Sequence, residues 1–521
     1  MIELNFINWL FALLPILSIV VLMLVFHWGG SKAGAFSWFL AILLSMFVFE
    51  AGFKVLAYAQ IRALMLTLDV LYIIWMALLF FHVSNEAGVI EMIGTRLNGL
   101  TQDRTLQGLV LGWLFVSFLQ GMGGFGVPVA VVAPLLIGIG FSPVQAVLIA
   151  SIGHGWAVNF GSMATSFQTM IAVTGLSGEV LAPDSAIFMG VASLVCGLLV
   201  AWLSGGLKGL LKHSPLILVL SVIMSVVQYF LTTHHLWTLG ATVASLTGLL
   251  GTVVYLQLRQ KNHAQKAENS SGQGLSLWWV AFPYILLVGL ASCVFMIPSV
   301  NSFVNQIKLF LLVPEVSTGA GLVTEAGKTR AISLFGHPGA ILAVASLLSM
   351  WVYAKLGAYK PGYVSRIMGN VSKGAVTSSL GILAMVSVAM IMSHSGMTQI
   401  LAQGLSENIS AVYYPLVAPF IGMIGAFITG SNNNSNVLFA VLQMQTAAML
   451  GIPATVILAA QTAGGSLGSV FAPAKVIVGC STAGLAGEEG KVMGKIILYG
   501  LIPVIVVAIF GFVFVKVSAG M

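Results

Sequence analysis

Between Gly425 and Phe439 an apolar stretch gives way to six consecutive small polar residues, Ser431, Asn432, Asn433, Asn434, Ser435 and Asn436, preceded by Thr429. Their amides and hydroxyls can hydrogen-bond the oxygens of a small substrate, or coordinate a sodium ion through neutral oxygens at an unwound helix. They can also simply satisfy the backbone of a broken helix. Lys475, two residues beyond Pro473, is the one base of 21 in the middle of an apolar segment. There it offers a point charge where freed backbone N–H groups and a half-helix N-terminus already favour an anion. A structural ion pair or a lysine snorkelling to the interface is the alternative. Asp69 is the one acid of 14 within a long apolar segment, Leu64 to Phe81. An intramembrane carboxylate of this kind is expected to carry a coupling proton, to cap a neighbouring helix, or to pair with Lys475. His154, between Gly153 and Gly155, brings an imidazole that changes charge near neutral pH, or a helix-to-helix hydrogen bond. His337, before Pro338-Gly339, is a weaker version of the same.

Other chemistries lack their residues. No metal-ligand spacing, no P-loop lysine after the glycine-rich stretch and no G-x-S-x-G elbow appears, so no cofactor is implied and neither nucleotide chemistry nor intramembrane hydrolysis is expected. Cys196, Cys293 and Cys480 lie in apolar surroundings and read as packing residues. The net charge of +7 is spread over short loops without a patch, which argues for loop bias and against nucleic acid.

Only a membrane can position these residues. The chain of 521 residues is 59% hydrophobic and 7% charged, which implies an all-α polytopic membrane protein whose solvent is the lipid bilayer. Twelve to fourteen crossings are expected, including separate spans at 185–204, 214–232 and 143–160. Trp9 to Phe26 follows Glu3 and reads as a first span, not a cleaved signal. Within the bilayer, irregular polar backbone must be buried in protein or line a watery cavity. The Asn/Ser run is therefore read as a broken helix or re-entrant hairpin at a binding site.

A second break shares its grammar. Phe118-Leu119-Gln120-Gly121 followed by Met122-Gly123-Gly124-Phe125-Gly126-Val127-Pro128 matches Phe427-Ile428-Thr429-Gly430 and the polar run. Residues 84–175 and 393–485 thus look like two copies of one unit. Lys208 and Lys212, the polar loop 258–275 with Arg259, Lys261 and Lys266, and the loop with Lys355, Lys360, Arg366 and Lys373 are expected to be cytoplasmic. That places 84–105, with Arg96 and Arg104, inside and 394–411 outside, so the copies are inverted, the symmetry of alternating access. Residues 1–204 form the first repeat, 205–297 the connecting helices and 298–521 the second. The stretch 298–330 is too polar to span and reads as an external loop or a segment folding back toward the pathway.

At three of these places the chain resembles the lactate permease family: FLQGMGGFGVPVA at 118–130, FITGSNNNSNVLFA at 427–440 and AGGSLGSVFAP at 463–473. The resemblance spans nearly the whole chain. It implies a secondary transporter in the cell inner membrane that takes up short 2-hydroxy monocarboxylates, such as L-lactate, D-lactate and glycolate, with protons. Substrate is then expected between Gln120, Gly121, Gly123, Gly124 and His154 on one side and Thr429, Ser431 to Asn436 and Lys475 on the other. Gln120 and Asn432 stand where the family commonly has acids. Thr324-Glu325-Ala326 looks like the family's Ser-Glu-Ala, which adds Glu325 to Asp69 and His154 as a coupling residue. A sodium-coupled carrier of another small organic anion, a sulfonate or a dicarboxylate, is the rival.

Overall fold

A computed structural model describes residues 3–26, 28–90, 92, 101–124, 126–260, 276–485 and 488–518. Arg96, Phe125, Lys261 and Lys266, named above, lie outside them. Among the described residues eleven helices are long and apolar enough to cross a membrane. All the helices, short ones included, begin in chain order with α1 (Phe6–Leu24), α2 (Gly30–Phe47), α3 (Phe53–Glu86) and α4 (Arg104–Met122), the last with a π turn at Val110–Phe115. Then come α5 (Val127–Gly138), α6 (Pro143–Gly153), α7 (Thr165–Thr174), α8 (Gly178–Thr233), α9 (Gly240–Gln260), α10 (Leu277–Met296) and α11 (Pro298–Val304). The remainder are α12 (Pro338–Lys355), α13 (Tyr363–Ser395), α14 (Met397–Asn408), α15 (Tyr414–Thr429), α16 (Asn432–Met449), α17 (Ala454–Gly468), α18 (Pro473–Thr482) and α19 (Glu489–Ser518).

The 56 residues of α8 would stretch about 84 Å as one helix, far beyond a bilayer. Gly206 breaks it with φ +63°, so it holds the two spans expected at 185–204 and 214–232. The span expected at 143–160 is shorter, because α6 ends at Gly153 and the chain turns irregular.

Glycine and proline set the interruptions. After α4, Gly123 is extended and Gly126 left-handed, and Pro128 restarts the helix as α5. Left-handed Gly430 ends α15, one residue before α16 begins. α17 ends at Gly468, and after a short 3-10 turn (Ser469–Phe471) Pro473 restarts the chain as α18. Both units therefore run helix, break, helix, turn, helix, break, helix. Their pieces pack reciprocally: α16 lies against α7 and α18 against α5.

Within each unit, helices meet at seams with no room for a side chain. A Cβ on Gly464 would lie 1.8 Å from the Pro419 carbonyl oxygen, and one on Gly422 2.0 Å from that of Gln461, so α15 and α17 touch through backbone. In the first unit a Cβ on Gly153 would lie 1.6 Å from the Gly112 carbonyl oxygen, which joins α6 to α4 in the same way. Such contact is how helices associate where lipid is as apolar as the side chains.

The stretch 298–330 departs from a plain loop. After α11 it forms a narrow antiparallel β-hairpin, pairing Lys308 with Ser333, Leu312 with Lys328 and Val316 with Thr324. The hairpin runs back along α3: Gly319 N–H donates to Glu50 O (2.8 Å), Arg62 to Glu325 O (3.1 Å), Arg330 Nε to Asp69 Oδ2 (3.0 Å), and Tyr72 O–H to Leu334 O (3.1 Å). At its root His337 Nδ1 accepts from Gly339 N–H (3.2 Å), which leaves the proton on Nε2 to donate to Asp69 Oδ1 (3.1 Å). The imidazole also stacks on Tyr72, with ring centroids 4.9 Å apart. Asp69 is thus paired with Arg330 and His337, and not with Lys475. At the opposite end of α3, Glu86 binds Arg366 (2.6 Å), so the basic segment after α12 and the hairpin meet different parts of one long helix.

Two outcomes follow from this packing. Gly464→Ala should destabilise the fold by about 1–3 kcal/mol through forced backbone separation, whereas Gly494→Ala, with nothing within 4 Å of its Cβ, should be neutral or slightly stabilising; thermal unfolding in detergent checks both. Arg330→Met should cost about 1.5–3 kcal/mol by stranding the Asp69 carboxylate, with faster proteolysis between 308 and 333. Adding Asp69→Asn to Arg330→Met should recover part of that loss, and strictly additive effects would show that the pair does not hold the hairpin.

Candidate binding site at the helix breaks

Two helices begin inside the protein at one place. α16 starts after Ser431, and α7 after Ala164, which is left-handed; neither start has a side-chain cap or an acidic residue in its first turn. The first-turn N–H groups of a helix have no intrahelical partner and carry its positive end. Thr165 and Ser166 from α7, and Asn432 and Asn433 from α16, line one narrow crevice. Gln120, Ser162, Gly430 and Ser431 complete its polar wall, and Lys475 from the first turn of α18 points into it.

Lys475 is buried, with 9% of its surface exposed, and its Nζ donates to Ser469 Oγ at 3.1 Å. No acid pairs with it among the described residues. It also stands at the N-terminal, positive end of its own helix, an unfavourable place for a cation. A buried ammonium in this setting costs several kcal/mol or so unless a counter-anion joins it.

The amides are mostly committed to holding the two helix starts together. Asn433 Oδ1 accepts from Ser166 Oγ (2.6 Å) and Thr165 Oγ1 (3.4 Å), joining α16 to α7 directly. Asn436 Nδ2 donates to Ser166 O (3.0 Å) and Thr462 Oγ1 (2.9 Å), and Asn432 Nδ2 to Thr462 Oγ1 and Ser466 Oγ (3.0 Å each). Thr462 in turn donates to Asn159 Oδ1 (2.7 Å). Ser435 and Thr429 bind the carbonyls of Gly422 and Gly425 (2.7 Å each). Capping and cross-bracing thus account for much of the run. Left over are Asn432 Oδ1, Asn434 Oδ1, Asn436 Oδ1 and Gln120 Oε1, buried with no protein partner. Each such oxygen costs about 1–3 kcal/mol until something donates to it.

The first break is braced by a strained turn. Ser162, Met163 and Ala164 have φ of +47°, +57° and +57°. Left-handed backbone costs a residue with a Cβ roughly 1–2 kcal/mol. Ser162 N–H donates to Gln120 O (2.8 Å), Met163 N–H to Gly121 O (3.2 Å), and Ser162 Oγ accepts from Gly124 N–H (2.7 Å). A Cβ on Gly124 would meet that Oγ at 2.6 Å, so this glycine serves close approach.

Of the residues singled out from sequence, the structure brings Gln120, Ser431, Asn432, Asn433 and Lys475 to the crevice wall. Gly121, Gly123, Gly124, Thr429, Asn434, Ser435 and Asn436 form the supporting breaks behind it. His154 is buried at the end of α6, its Nδ1 on Ala150 O (2.7 Å), and does not line the crevice. Asp69 lies in the hairpin ion pair, and Glu325 is exposed on the hairpin. Ser162, Thr165 and Ser166 on the wall, with Asn159, Thr462 and Ser466 behind it, were not singled out; the clustered small polar residues of NFGSMATSFQT at 159–169 are the signal that marks four of the six.

The family model described as L-lactate permease matches residues 8–518. The glycolate permease GlcA of Escherichia coli (strain K12) is 25% identical over 556 residues, covering 98% of this chain and 96% of its own. The L-lactate permease of Halalkalibacterium halodurans is 24% identical and covers 96% of each chain. The L-lactate permease of Escherichia coli (strain K12) is 26% identical over 84% of this chain and 83% of its own. With its breaks, its apolar helices and a family match across almost its whole length, the chain belongs to the L-lactate permease family as a multi-pass protein of the plasma membrane.

Proposed function

We propose that this permease is a secondary active transporter that imports a small 2-hydroxy monocarboxylate, L-lactate, D-lactate or glycolate, by proton symport and alternating access. One observation carries the reading: a buried lysine with no acidic partner faces a crevice at the positive ends of two helices. A carboxylate would pair with Lys475 and the first-turn N–H groups of α7 and α16. The neighbouring hydroxyl would sit among Ser162, Ser431 and Gln120, whose free Oε1 accepts its proton. A group without charge would leave the lysine uncompensated.

Alternating access is supported by where the crevice lies. It is walled by pieces of both units, and those units pack reciprocally through α16 with α7 and α18 with α5. The charge bias of the loops favours an inverted relation between them. That the relatives are permeases for glycolate and L-lactate supports the substrate class. Sodium coupling is the second reading, and the unpartnered oxygens of Asn432, Asn434 and Asn436 are what favour it.

Uptake of labelled L-lactate and glycolate into proteoliposomes, with proton and sodium gradients imposed separately, tests both readings. Concentrative uptake driven by the proton gradient alone is the expected result; uptake that needs sodium and survives collapse of the proton gradient would reverse it. Lys475→Ala should cut uptake about 100-fold or more by removing the charge partner, with the protein still monodisperse in detergent. Asn433→Asp keeps an acceptor for Ser166 yet adds a negative charge to the wall, and should raise the apparent KM roughly tenfold or more. An unchanged KM would place the substrate elsewhere.

A further inference from the structure

We infer that Lys475 is also the group that carries the coupling proton, so that one side chain binds the anion and couples it to the proton gradient. This rests on the transport reading above. Proton symport needs a site that gains and loses a proton within the cycle, and the described crevice wall offers a single titratable group. Gln120, Val158, Ser162, Thr165, Ser166 and Gly430 to Asn433 are all non-ionising. The acids that might have served are engaged or remote: Asp69 is held by Arg330 and His337, and Glu325 is exposed on the hairpin.

The surroundings of Lys475 leave its charge to the substrate. α18 packs against α5, α6, α19 and the Ser469–Phe471 turn. α5, α6 and the turn carry no ionisable side chain; His154 just beyond α6 is close enough to feel the Lys475 charge, and its Nδ1 is held on Ala150 O outside the crevice wall. α19 carries Glu489, Lys491, Lys495, Tyr499 and Lys516; Glu488 and Glu489 lie near Cys480 in the last turn of α18, at the other end of that helix from Lys475, and Lys491 pairs with Glu488 (3.7 Å). Lys516 lies over Phe512, and Tyr499 packs on Trp202. Among the described residues the one hydrogen-bond partner of Nζ is the Ser469 hydroxyl, which can accept from an ammonium or donate to a neutral amine.

The cycle then balances without another residue. Facing outward, the Nζ lone pair takes a proton from water, and the ammonium binds the carboxylate. The loaded site is net neutral and can reorient. Facing inward, the anion leaves, the ammonium returns its proton to water, and the carrier goes back with an uncharged amine. A lone ammonium in the closed crevice would oppose that return. Each cycle moves one anion with one proton, without net charge.

Arginine separates the two roles, because a guanidinium pairs with a carboxylate but stays charged at every relevant pH. In proteoliposomes, Lys475→Arg should keep exchange of labelled for unlabelled L-lactate or glycolate within about tenfold of the parent while losing net uptake driven by a pH gradient. Proton-driven accumulation by Lys475→Arg at the parent's level would overturn the assignment. Should the variant do neither, the unmodified protein decides. In weakly buffered detergent solution at pH 8–9, saturating glycolate should draw up a fraction of a proton per bound anion that rises with pH, and this uptake should persist in Glu325→Gln and His154→Gln. Anion binding without proton uptake, or proton uptake lost in either variant with binding intact, would overturn it. A parent protein that neither exchanges nor binds L-lactate or glycolate would instead remove the transport reading, and this one with it.

Discussion

Everything here depends on where polar backbone can exist inside oil. A helix that stops at mid-depth exposes amide and carbonyl groups that lipid cannot satisfy, so the protein must bury each break against another piece of itself. The solution is reciprocal. The start of α16 is held by α7, through Asn433 and Asn436 onto Ser166, and the start of α18 lies against α5. The requirement to satisfy one break with the other is what makes a single crevice out of two distant stretches of chain.

The same arrangement produces the electrostatics of the site. Two helix starts without caps or first-turn acids leave a concentration of positive potential, and Lys475 adds a full charge to it. None of these would persist alone in a low-dielectric interior. Together they gather positive potential in one crevice, with no acid beside Lys475 among the described residues. Backbone seams at Gly464, Gly422 and Gly153 keep the helices behind the breaks close enough for the bracing hydrogen bonds to form. Strain at Ser162 to Ala164 sits against the crevice, where the surrounding hydrogen bonds over-determine it.

The hairpin between α11 and α12 answers a different need. Asp69 in α3 would be an isolated charge, and the hairpin brings Arg330 and His337 to it from more than 260 positions along the chain. That contact fixes the hairpin along one side of α3 and separates it from the basic loop at the other end. It also accounts for Asp69 without assigning it to the crevice.

Much of this was legible in the residues. The spans, the two breaks and the burial of Lys475 beside the second follow from composition and spacing, because a bilayer allows so few ways to place a polar residue. The break at Gly206 within α8 agrees with the two spans that Lys208 and Lys212 separate. Partnership was not legible. Whether Asp69 meets Lys475 or Arg330, whether an Asn amide faces a cavity or a threonine, and whether 298–330 is a loop or a hairpin depend on which distant segments come within hydrogen-bonding reach. The sequence by itself determined where the helices must stop, since glycine, proline and clustered amides cannot continue through lipid unaided. Only the tertiary structure decided what each stop faces, because hydrogen bonds act over about 3 Å and only folding sets those distances.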